Sequence, residues 1–264
     1  MTNDAANPRP RFPWLYALPA GVLPAVVFCN GVRYELVRTF KHDFFAATGL
    51  YRDPAGGLAV LKLGRRGDVW SFPTDWIGEF LTDREVRHYE LLQGLAGVPR
   101  LIGRVGRAGL LHDFVPGAPL DKHSTVSDTF FAELDALVGE IHRRGMAYVD
   151  LNKPQNVLLG EDGRPYLIDF QISLHWPAVG WRRWGPVRWL LGRFQHGDLY
   201  HCAKHKRRIR PEQMTARDKE LVERVGFWIR LHRTLSGPLR NARRKALKKL
   251  KAAETMDVVG SSAK

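Results

Sequence analysis

The segment from residue 146 to residue 171 constrains the fold of this chain more than any other feature. It reads MAYVDLNKPQNVLLGEDGRPYLIDFQ. Two short apolar runs, 157–159 and 166–168, flank a Glu-Asp-Gly turn, and this pattern predicts a β-hairpin. Asp150, Asn156 and Asp169 stand at the ends of these runs. The hairpin would bring two carboxylates and an amide to one edge, where their hard oxygen atoms suit magnesium and phosphate.

Two segments upstream carry a lysine and a glutamate in regular patterns. Residues 59–63 read AVLKL, which predicts a strand that carries Lys62. Residues 82–92 read TDREVRHYELL, which predicts an amphipathic helix with Thr82 as its N-cap. Glu85 would then complete the capping box, a role in helix stability alone. The residues predicted to face inward are Val86, Tyr89 and Leu92.

A strand and a long helix separate these segments from the hairpin. Residues 109–120 read GLLHDFVPGAPL, an apolar strand that runs into Pro-Gly. Residues 130–144 predict a helix that ends at Gly145, as a C-terminal glycine favours. Its apolar residues at helical spacing are Phe131, Leu134, Leu137, Val138 and Ile141.

The order of these five segments resembles that of the protein-kinase-like phosphotransferases. The resemblance implies an α+β, two-lobed fold: a small lobe with an antiparallel sheet and one helix, and a larger, mainly helical lobe. It implies a nucleotide-binding N-terminal lobe at residues 25–112 and a catalytic C-terminal lobe at 113–235. A proline-rich lead at 1–24 precedes them, and a basic helix with a flexible tail at 236–264 follows.

The resemblance also implies the cofactors and the role of each site residue. ATP with Mg²⁺, or Mn²⁺, would donate the γ-phosphate. Asp150 would orient the acceptor hydroxyl or accept its proton, while Asn156 and Asp169 would hold the metal. Lys62, steadied by Glu85 in preference to Glu79 or Glu90, would bind phosphate oxygens. The further residues predicted to bind nucleotide are Lys41, His112, Asp113 and Phe114.

Three departures from the common kinase motifs point to an atypical branch. No G-x-G-x-x-G precedes Lys62; residues 41–49 read KHDFFAATG, and their backbone N–H groups with Lys41 would cover the phosphates. Tyr148 replaces the histidine of H-R-D, and Gln171 replaces the glycine of D-F-G. The chain is closer to the lipopolysaccharide-core sugar kinases, the RIO-type kinases and the aminoglycoside phosphotransferases. The expected acceptor is a sugar or glycolipid hydroxyl, such as that of lipopolysaccharide core, or a protein serine or threonine.

The positive charge is concentrated near the C-terminus. The whole chain has a formal charge of +14, and residues 201–251 carry 17 Lys and Arg against four Asp and Glu. Residues 239–251 predict a basic amphipathic helix that suits anionic lipid or nucleic acid. This tail motivates an alternative function, in which a catalytically weak kinase-like module binds nucleic acid or acidic partners through it.

Tryptophan and arginine alternate between residues 176 and 194. This composition is typical of a segment at a membrane interface, and in a kinase the segment would lie where acceptors dock. We therefore predict a protein that is peripheral on the inner membrane face, while the presence of only two cysteines favours the cytoplasm. In the alternative, the tryptophans pack on the larger lobe and the arginines are solvated. The residues assigned to the membrane surface are Trp181, Arg182, Arg183, Trp184 and Trp189.

Several smaller features have plain structural interpretations. Prolines interrupt the uncharged stretch 12–32, so we predict no membrane span there but a hairpin of strands 25–29 and 32–37 about Asn30-Gly31. The two cysteines do not make a disulfide framework. His201 and His205, near Cys202 and His196, suggest a metal site, but their cationic neighbours favour a solvated basic helix. Asp198 is predicted to brace the loop of Asp150.

Overall fold

A computed structural model describes residues 16–66, 75–176, 180 and 184–223. The N-terminal lobe is an antiparallel sheet of six strands in the order β1-β2-β3-β4-β6-β5. The strands are β1 (Val26–Cys29), β2 (Val32–His42), β3 (Ala46–Arg52), β4 (Leu58–Gly64), β5 (Leu101–Val105) and β6 (Gly109–Asp113). One helix, α1 (Asp75–Leu91), packs beside the sheet and contacts β4, β5 and β6.

The turn between β1 and β2 confirms the predicted hairpin. Asn30 and Gly31 have φ angles of 49° and 78°, as a two-residue turn with left-handed central residues requires. Cys29 pairs with Val32 directly across this turn. β2 continues to His42, beyond the predicted end at residue 37, because β3 pairs with its second half.

The predicted start of the α1 helix is wrong. The helix begins at Asp75, so Thr82 lies in its interior, buried at 4% exposure, and is not an N-cap. The capping role considered for Glu85 is therefore excluded as well. Trp76 and Phe80, on the first turns, are 65% and 56% exposed, so the amphipathic pattern is inverted there. The inward positions of Val86, Tyr89 and Leu92 are confirmed, because all three are buried.

The C-terminal lobe is mainly helical and surrounds one apolar core. Its helices are α2 (Phe130–Arg143), α3 (Gly185–Ile209) and α4 (Ala216–Glu223). The predicted helix at residues 130–144 is confirmed: its apolar face is buried, and Gly145 follows with φ of 73°. Short strands complete the lobe, namely β7 (Gly117–Pro119), β8 (Met146–Ala147), β9 (Val157–Gly160), β10 (Pro165–Leu167) and β11 (Leu174–His175).

The second half of α3 has one face inside the lobe, so the predicted solvated basic helix is only partly correct: Lys204, Arg207 and Arg208 are exposed, but the opposite face is not. Cys202, His205 and Lys206 are buried. The Lys206 ammonium donates to Asp135 and Asp218 at 3.0 Å each, which compensates its charge. Within the described ranges, no His, Cys, Asp or Glu side chains form a cluster of three suited to a metal ion.

Two further sequence predictions concern disulfides and membrane spans. Cys29 and Cys202 are free and buried, in agreement with the absence of a disulfide framework. Of the helices that the structure describes, none is long and apolar enough to cross a membrane. Residues 1–15, Trp181, Arg182, Arg183 and the basic segment 236–264 lie outside the described residues.

Candidate active site

The hairpin predicted from residues 146–171 is confirmed. β9 and β10 pair antiparallel, with Val157 opposite Leu167. Because Asn156 precedes β9 and Asp169 follows the chain leaving β10, the hairpin brings both to the same edge. The Ile168 N–H donates to the Asn156 carbonyl at 3.1 Å, which joins the two ends directly.

Asp150 lies in a compact hydrogen-bonded group with two neighbours in the loop. The Asn156 side-chain amide donates to Asp150 Oδ2 at 2.9 Å, and the Lys153 ammonium donates to the same oxygen at 2.6 Å. Asp150 is only 7% exposed, so these contacts fix the direction of its carboxylate. Lys153 was not among the predicted site residues, although its position between Asp150 and Asn156 could have indicated it.

The loop of Asp150 is held by an acid that is distant in sequence. Asp198 on α3 accepts hydrogen bonds from the backbone N–H groups of Tyr148 and Val149 at 2.8 Å each. The His142 ring also contacts it at 3.0 Å. Val149 has φ of 71°, which is strained for a β-branched residue and has to be enforced by its surroundings. Asp198 thus braces the loop as predicted.

Lys62 of the N-terminal lobe contacts one carboxylate in its own lobe and one in the C-terminal lobe. Its ammonium lies 2.8 Å from Glu85 Oε2 on α1 and 2.7 Å from Asp169 Oδ1 beside the hairpin. Glu85 is therefore the glutamate that contacts Lys62, as the sequence predicted in preference to Glu79 or Glu90. Asp169 has φ of 64°, which sets its backbone apart from the extended strand before it.

The protonation of these three groups follows from burial and mutual attraction. Burial would lower the pKa of Lys62, but the carboxylates of Glu85 and Asp169 outweigh it and raise that pKa. Burial raises the pKa of Glu85 to about 7 despite the attraction of Lys62. Burial opposes ionisation of Asp169, yet the Lys62 ammonium lowers its pKa. Asp169 is consequently the anionic oxygen donor of the group at neutral pH.

A column of aromatic rings in contact, two pairs edge to face and one pair stacked, runs behind these charged groups. Tyr148 and Phe170 have ring centroids 5.3 Å apart, and Phe170 and Tyr89 are 5.0 Å apart. Tyr89 stacks on His112 at 5.4 Å, so the column passes from one lobe into the other. The Tyr148 hydroxyl donates to the Ile168 carbonyl. The sequence could not reveal this column, because its members come from four separate elements.

A cleft of about 560 Å³ lies between the lobes and collects most of the predicted site residues. Those that line it are Lys41, Lys62, Glu85, His112, Phe114, Asn156 and Asp169. Asp150 adjoins the cleft through Asn156 and Lys153, which both line it. Asp113 does not line the cleft, and its side chain instead contacts Arg100 at 3.0 Å.

The walls of the cleft provide a surface for a flat ring and for phosphate. Val60, Leu158 and Ile168 are apolar wall residues that the sequence analysis did not single out. Four cations line the cleft against three acids, and this excess suits a polyanion. The cations are Arg38, Lys41, Lys62 and Lys153, and the acids are Asp43, Glu85 and Asp169.

The turn between β2 and β3 differs from the expectation for a phosphate-covering loop. The Asp43 carboxylate accepts hydrogen bonds from the backbone N–H groups of Phe45 and Ala46, at 2.9 and 3.0 Å. Lys41 pairs with the same carboxylate at 2.5 Å. These donors are thus already occupied by an acid of the turn itself, because aspartate readily closes such turns.

Comparison with known sequences finds distant similarity to protein kinases. No family model matches. The chain is 28% identical over 155 residues to CBL-interacting protein kinase 16 of Oryza sativa subsp. japonica, covering 53% of this chain and 32% of that protein. It is 29% identical over 130 residues to a probable casein kinase I homolog of Encephalitozoon cuniculi (strain GB-M1), covering 40% and 39%. The matches thus span less than half of either relative.

Comparison with solved structures shows the fold. The Rio2 kinase of Chaetomium thermophilum, solved as an ADP/Mg²⁺-phosphoaspartate complex, aligns with a TM-score of 0.52 and 16% identity over 88% of this chain and 72% of that one. A second Rio2 structure from the same organism aligns with a TM-score of 0.52 and 16% identity over 83% and 74%. The predicted two-lobed, protein-kinase-like α+β fold is confirmed.

Proposed function

We propose that this protein is an ATP-dependent phosphotransferase whose active site is the cleft between the lobes. The observation that carries the proposal is the arrangement around Lys62: one ammonium between Glu85 and Asp169, beside the Asp150–Asn156 pair. Turn and cap residues that serve structure alone have no reason to converge from three elements on one cleft. The kinases found by comparison support the same activity.

Asn156 and Asp169 are the side chains that would hold Mg²⁺, or Mn²⁺, with the nucleotide. Both line the cleft, and both offer the hard oxygen atoms that these ions prefer. The metal would neutralise charge on the phosphate oxygens during transfer. The Rio2 complex with ADP and Mg²⁺ supports this assignment.

The chain's own residues account for the remaining steps. When nucleotide binds, the Lys62 ammonium releases Asp169 and binds phosphate oxygens, while its contact with Glu85 is retained. The nucleotide thus replaces one of the two anionic partners of Lys62. Asp150 orients the acceptor hydroxyl and takes its proton. The new bond joins the acceptor oxygen to the γ-phosphorus, and the bond to the β-phosphate oxygen breaks as ADP leaves. Catalysis of this kind rests mainly on alignment and electrostatic stabilisation.

The proposed acceptor is a sugar or glycolipid hydroxyl, such as that of lipopolysaccharide core, with a protein serine or threonine as the second class. The first class is supported by two departures from the common protein-kinase motifs. Asn156 lies six residues after Asp150, where H-R-D-L-x-x-x-N has five, and Gln171 replaces the glycine of D-F-G. The second is supported by the protein kinases among the relatives. The two acceptor classes have to be offered separately in the same experiment.

Transfer of labelled γ-phosphate tests the proposal. Wild-type protein is given Mg²⁺, ATP and either an envelope glycolipid fraction or a serine-rich model protein. Label should enter one acceptor and fall at least about 100-fold in Asp150→Ala, because the group that receives the proton is lost. Asp162→Ala is the matched control, since Asp162 lies in the exposed turn of the same hairpin. Undiminished transfer in Asp150→Ala would overturn the proposal.

A further inference from the structure

The first half of α3 presents an apolar face that the rest of the described protein leaves uncovered. Trp189 is 61% exposed, Leu190 40% and Phe194 36%. With Pro186 and Arg193 they follow the spacing i, i+3, i+4, i+7, i+8, which places all five on one side of a helix. We call these five residues the α3 stripe. Trp184, at the N-cap, adds a further ring that is 67% exposed.

The opposite side of the same helix is fixed to the protein. Leu191 is buried, and the Gln195 side-chain amide donates to the carbonyls of His142 and Met146, at 3.2 and 2.9 Å. Asp198, one turn beyond Phe194, holds the loop of Asp150. The α3 stripe therefore lies on the side of the helix opposite to the residues that contact the protein.

The charge around the α3 stripe has a single sign. Between Asp169 and Asp198 the sequence contains no Asp or Glu, but it contains four arginines. Two of these, Arg188 and Arg193, are exposed on the helix itself, and Arg193 belongs to the α3 stripe, whereas Arg188 lies two turns before Gln195 on the other side of the helix. The stripe therefore combines large apolar side chains with a cation and has no acidic residue of this segment to repel an anion.

An anionic lipid surface fits this combination better than other partners. Tryptophan rings and leucine enter the boundary between headgroups and acyl chains, and guanidinium groups bind the lipid phosphates. A nucleic acid would leave Leu190 and Phe194 without a suitable counterpart in the centre of the contact. An acidic protein groove, or a second copy of the chain, would satisfy the rings but needs its own acidic rim for the arginines.

We propose that the α3 stripe, together with Trp184, docks this protein on membranes that contain anionic lipid. α3 would then lie along the membrane plane with its Gln195 side towards the protein. Because Asp198 follows the stripe by one helical turn, about 6 Å along the axis, docking would hold the loop of Asp150 near the lipid headgroups. This last consequence rests on the proposed phosphotransferase function, whereas docking itself does not require catalysis.

Co-sedimentation with vesicles tests the docking surface. Full-length protein is mixed at 0.15 M salt with vesicles of phosphatidylcholine alone or with one-third phosphatidylglycerol. Wild type should sediment with the anionic vesicles, and its partition coefficient should fall at least about tenfold in Trp189→Ala/Leu190→Ala. Trp76→Ala is the matched control, because Trp76 is 65% exposed on α1, and it should bind like wild type. Arg193→Gln should weaken binding and reduce its dependence on salt.

The outcomes separate the proposal from its competitors and from the proposed function. Unchanged binding of the Trp189→Ala/Leu190→Ala variant, or no binding of wild type to anionic vesicles, would overturn it. If light scattering shows a wild-type dimer that this variant abolishes, the stripe is a contact between copies and the proposal is wrong. ADP release without vesicles should be the same in this variant and wild type, so a failed phosphotransferase assay leaves the vesicle result interpretable. Circular dichroism checks that each variant keeps its helices.

Discussion

At the scale of single residues, the Lys62 ammonium determines the electrostatics of the cleft. It is the one cation in contact with both Glu85 and Asp169 among the ion pairs of the described residues. Glu85 is 2% exposed, so without Lys62 its charge would be buried without compensation. Removing one member of a buried pair costs more than the pair contributes, because the partner keeps its desolvation penalty.

Lys62→Met should therefore destabilise the protein as well as inactivate it. We expect the free energy of unfolding to fall by about 3 kcal/mol at pH 8, where Glu85 would otherwise be charged. At pH 6 the loss should be smaller, because Glu85, whose pKa is about 7 in wild type and rises further without Lys62, is mostly protonated in both proteins. Urea unfolding at the two pH values measures the difference. An equal loss at both would contradict this description of the pair.

Buried histidines should make the protein less stable in acid. Burial lowers the pKa of His88 and of His112 from 6.5 to about 4 in each case. Since the unfolded chain binds protons on these rings below pH 6.5 and the folded protein does so only near pH 4, stability should fall as pH drops through this window. Each ring contributes up to about 3 kcal/mol to the loss.

Unfolding of His112→Phe beside wild type tests this acid sensitivity. The variant should lose less stability than wild type between pH 6.5 and 4. His123→Gln is the control, because His123 lies exposed in the loop before α2, and it should follow wild type. If all three proteins lost stability equally, His112 would not be a source of the acid sensitivity.

At the scale of elements, the turn between β2 and β3 distinguishes this cleft from one that is covered by a glycine-rich G-x-G-x-x-G loop. Asp43 occupies the N–H groups of Phe45 and Ala46 and pairs with Lys41. Asp43→Ala would release these donors and remove a carboxylate that lines the cleft. We therefore expect the dissociation constant for Mg-ATP to fall several-fold, by calorimetric titration.

The β3–β4 turn supplies a matched control for this change. Asp53 accepts from the Gly57 N–H at 2.8 Å in the same manner, but it does not line the cleft. Asp53→Ala should therefore leave the affinity for Mg-ATP unchanged. A weaker affinity in Asp43→Ala alone would show that the carboxylate shapes the loop for the nucleotide, contrary to our expectation.

Elements whose signals are local could be predicted from the sequence. The Asn30-Gly31 turn, the hairpin of β9 and β10, and α2 with Gly145 each depend on neighbouring residues only. The start of α1 could not be predicted, because Trp76 and Phe80 face solvent and conceal the helical pattern.

Contacts between distant segments were harder to predict from the sequence. The pairing of Lys62 with Glu85 was anticipated only through the resemblance to kinases. The ring contacts of Phe170 with Tyr148 and Tyr89 join separate elements, and residue types alone do not specify them.

At the scale of the whole molecule, the ring column couples the two lobes. Phe170 is fully buried and contacts Tyr148 on one side and Tyr89 on the other. Phe170→Ala should cost about 3–5 kcal/mol, as other large core deletions do. It should also weaken nucleotide binding, because the cleft lies between the elements that the column joins. Phe28→Ala, at a ring 65% exposed on β1, should change neither thermal stability nor affinity.

The measurement that tests the central claim most directly is Mg²⁺-dependent release of ADP from ATP by wild type, Asp169→Ala and Asp162→Ala. If the cleft is a phosphotransferase site, wild type and Asp162→Ala should turn over ATP only with the metal. Asp169→Ala should be at least about 1,000-fold slower, because it lacks the anionic oxygen donor beside Lys62. Equal turnover by Asp169→Ala and wild type would contradict the account.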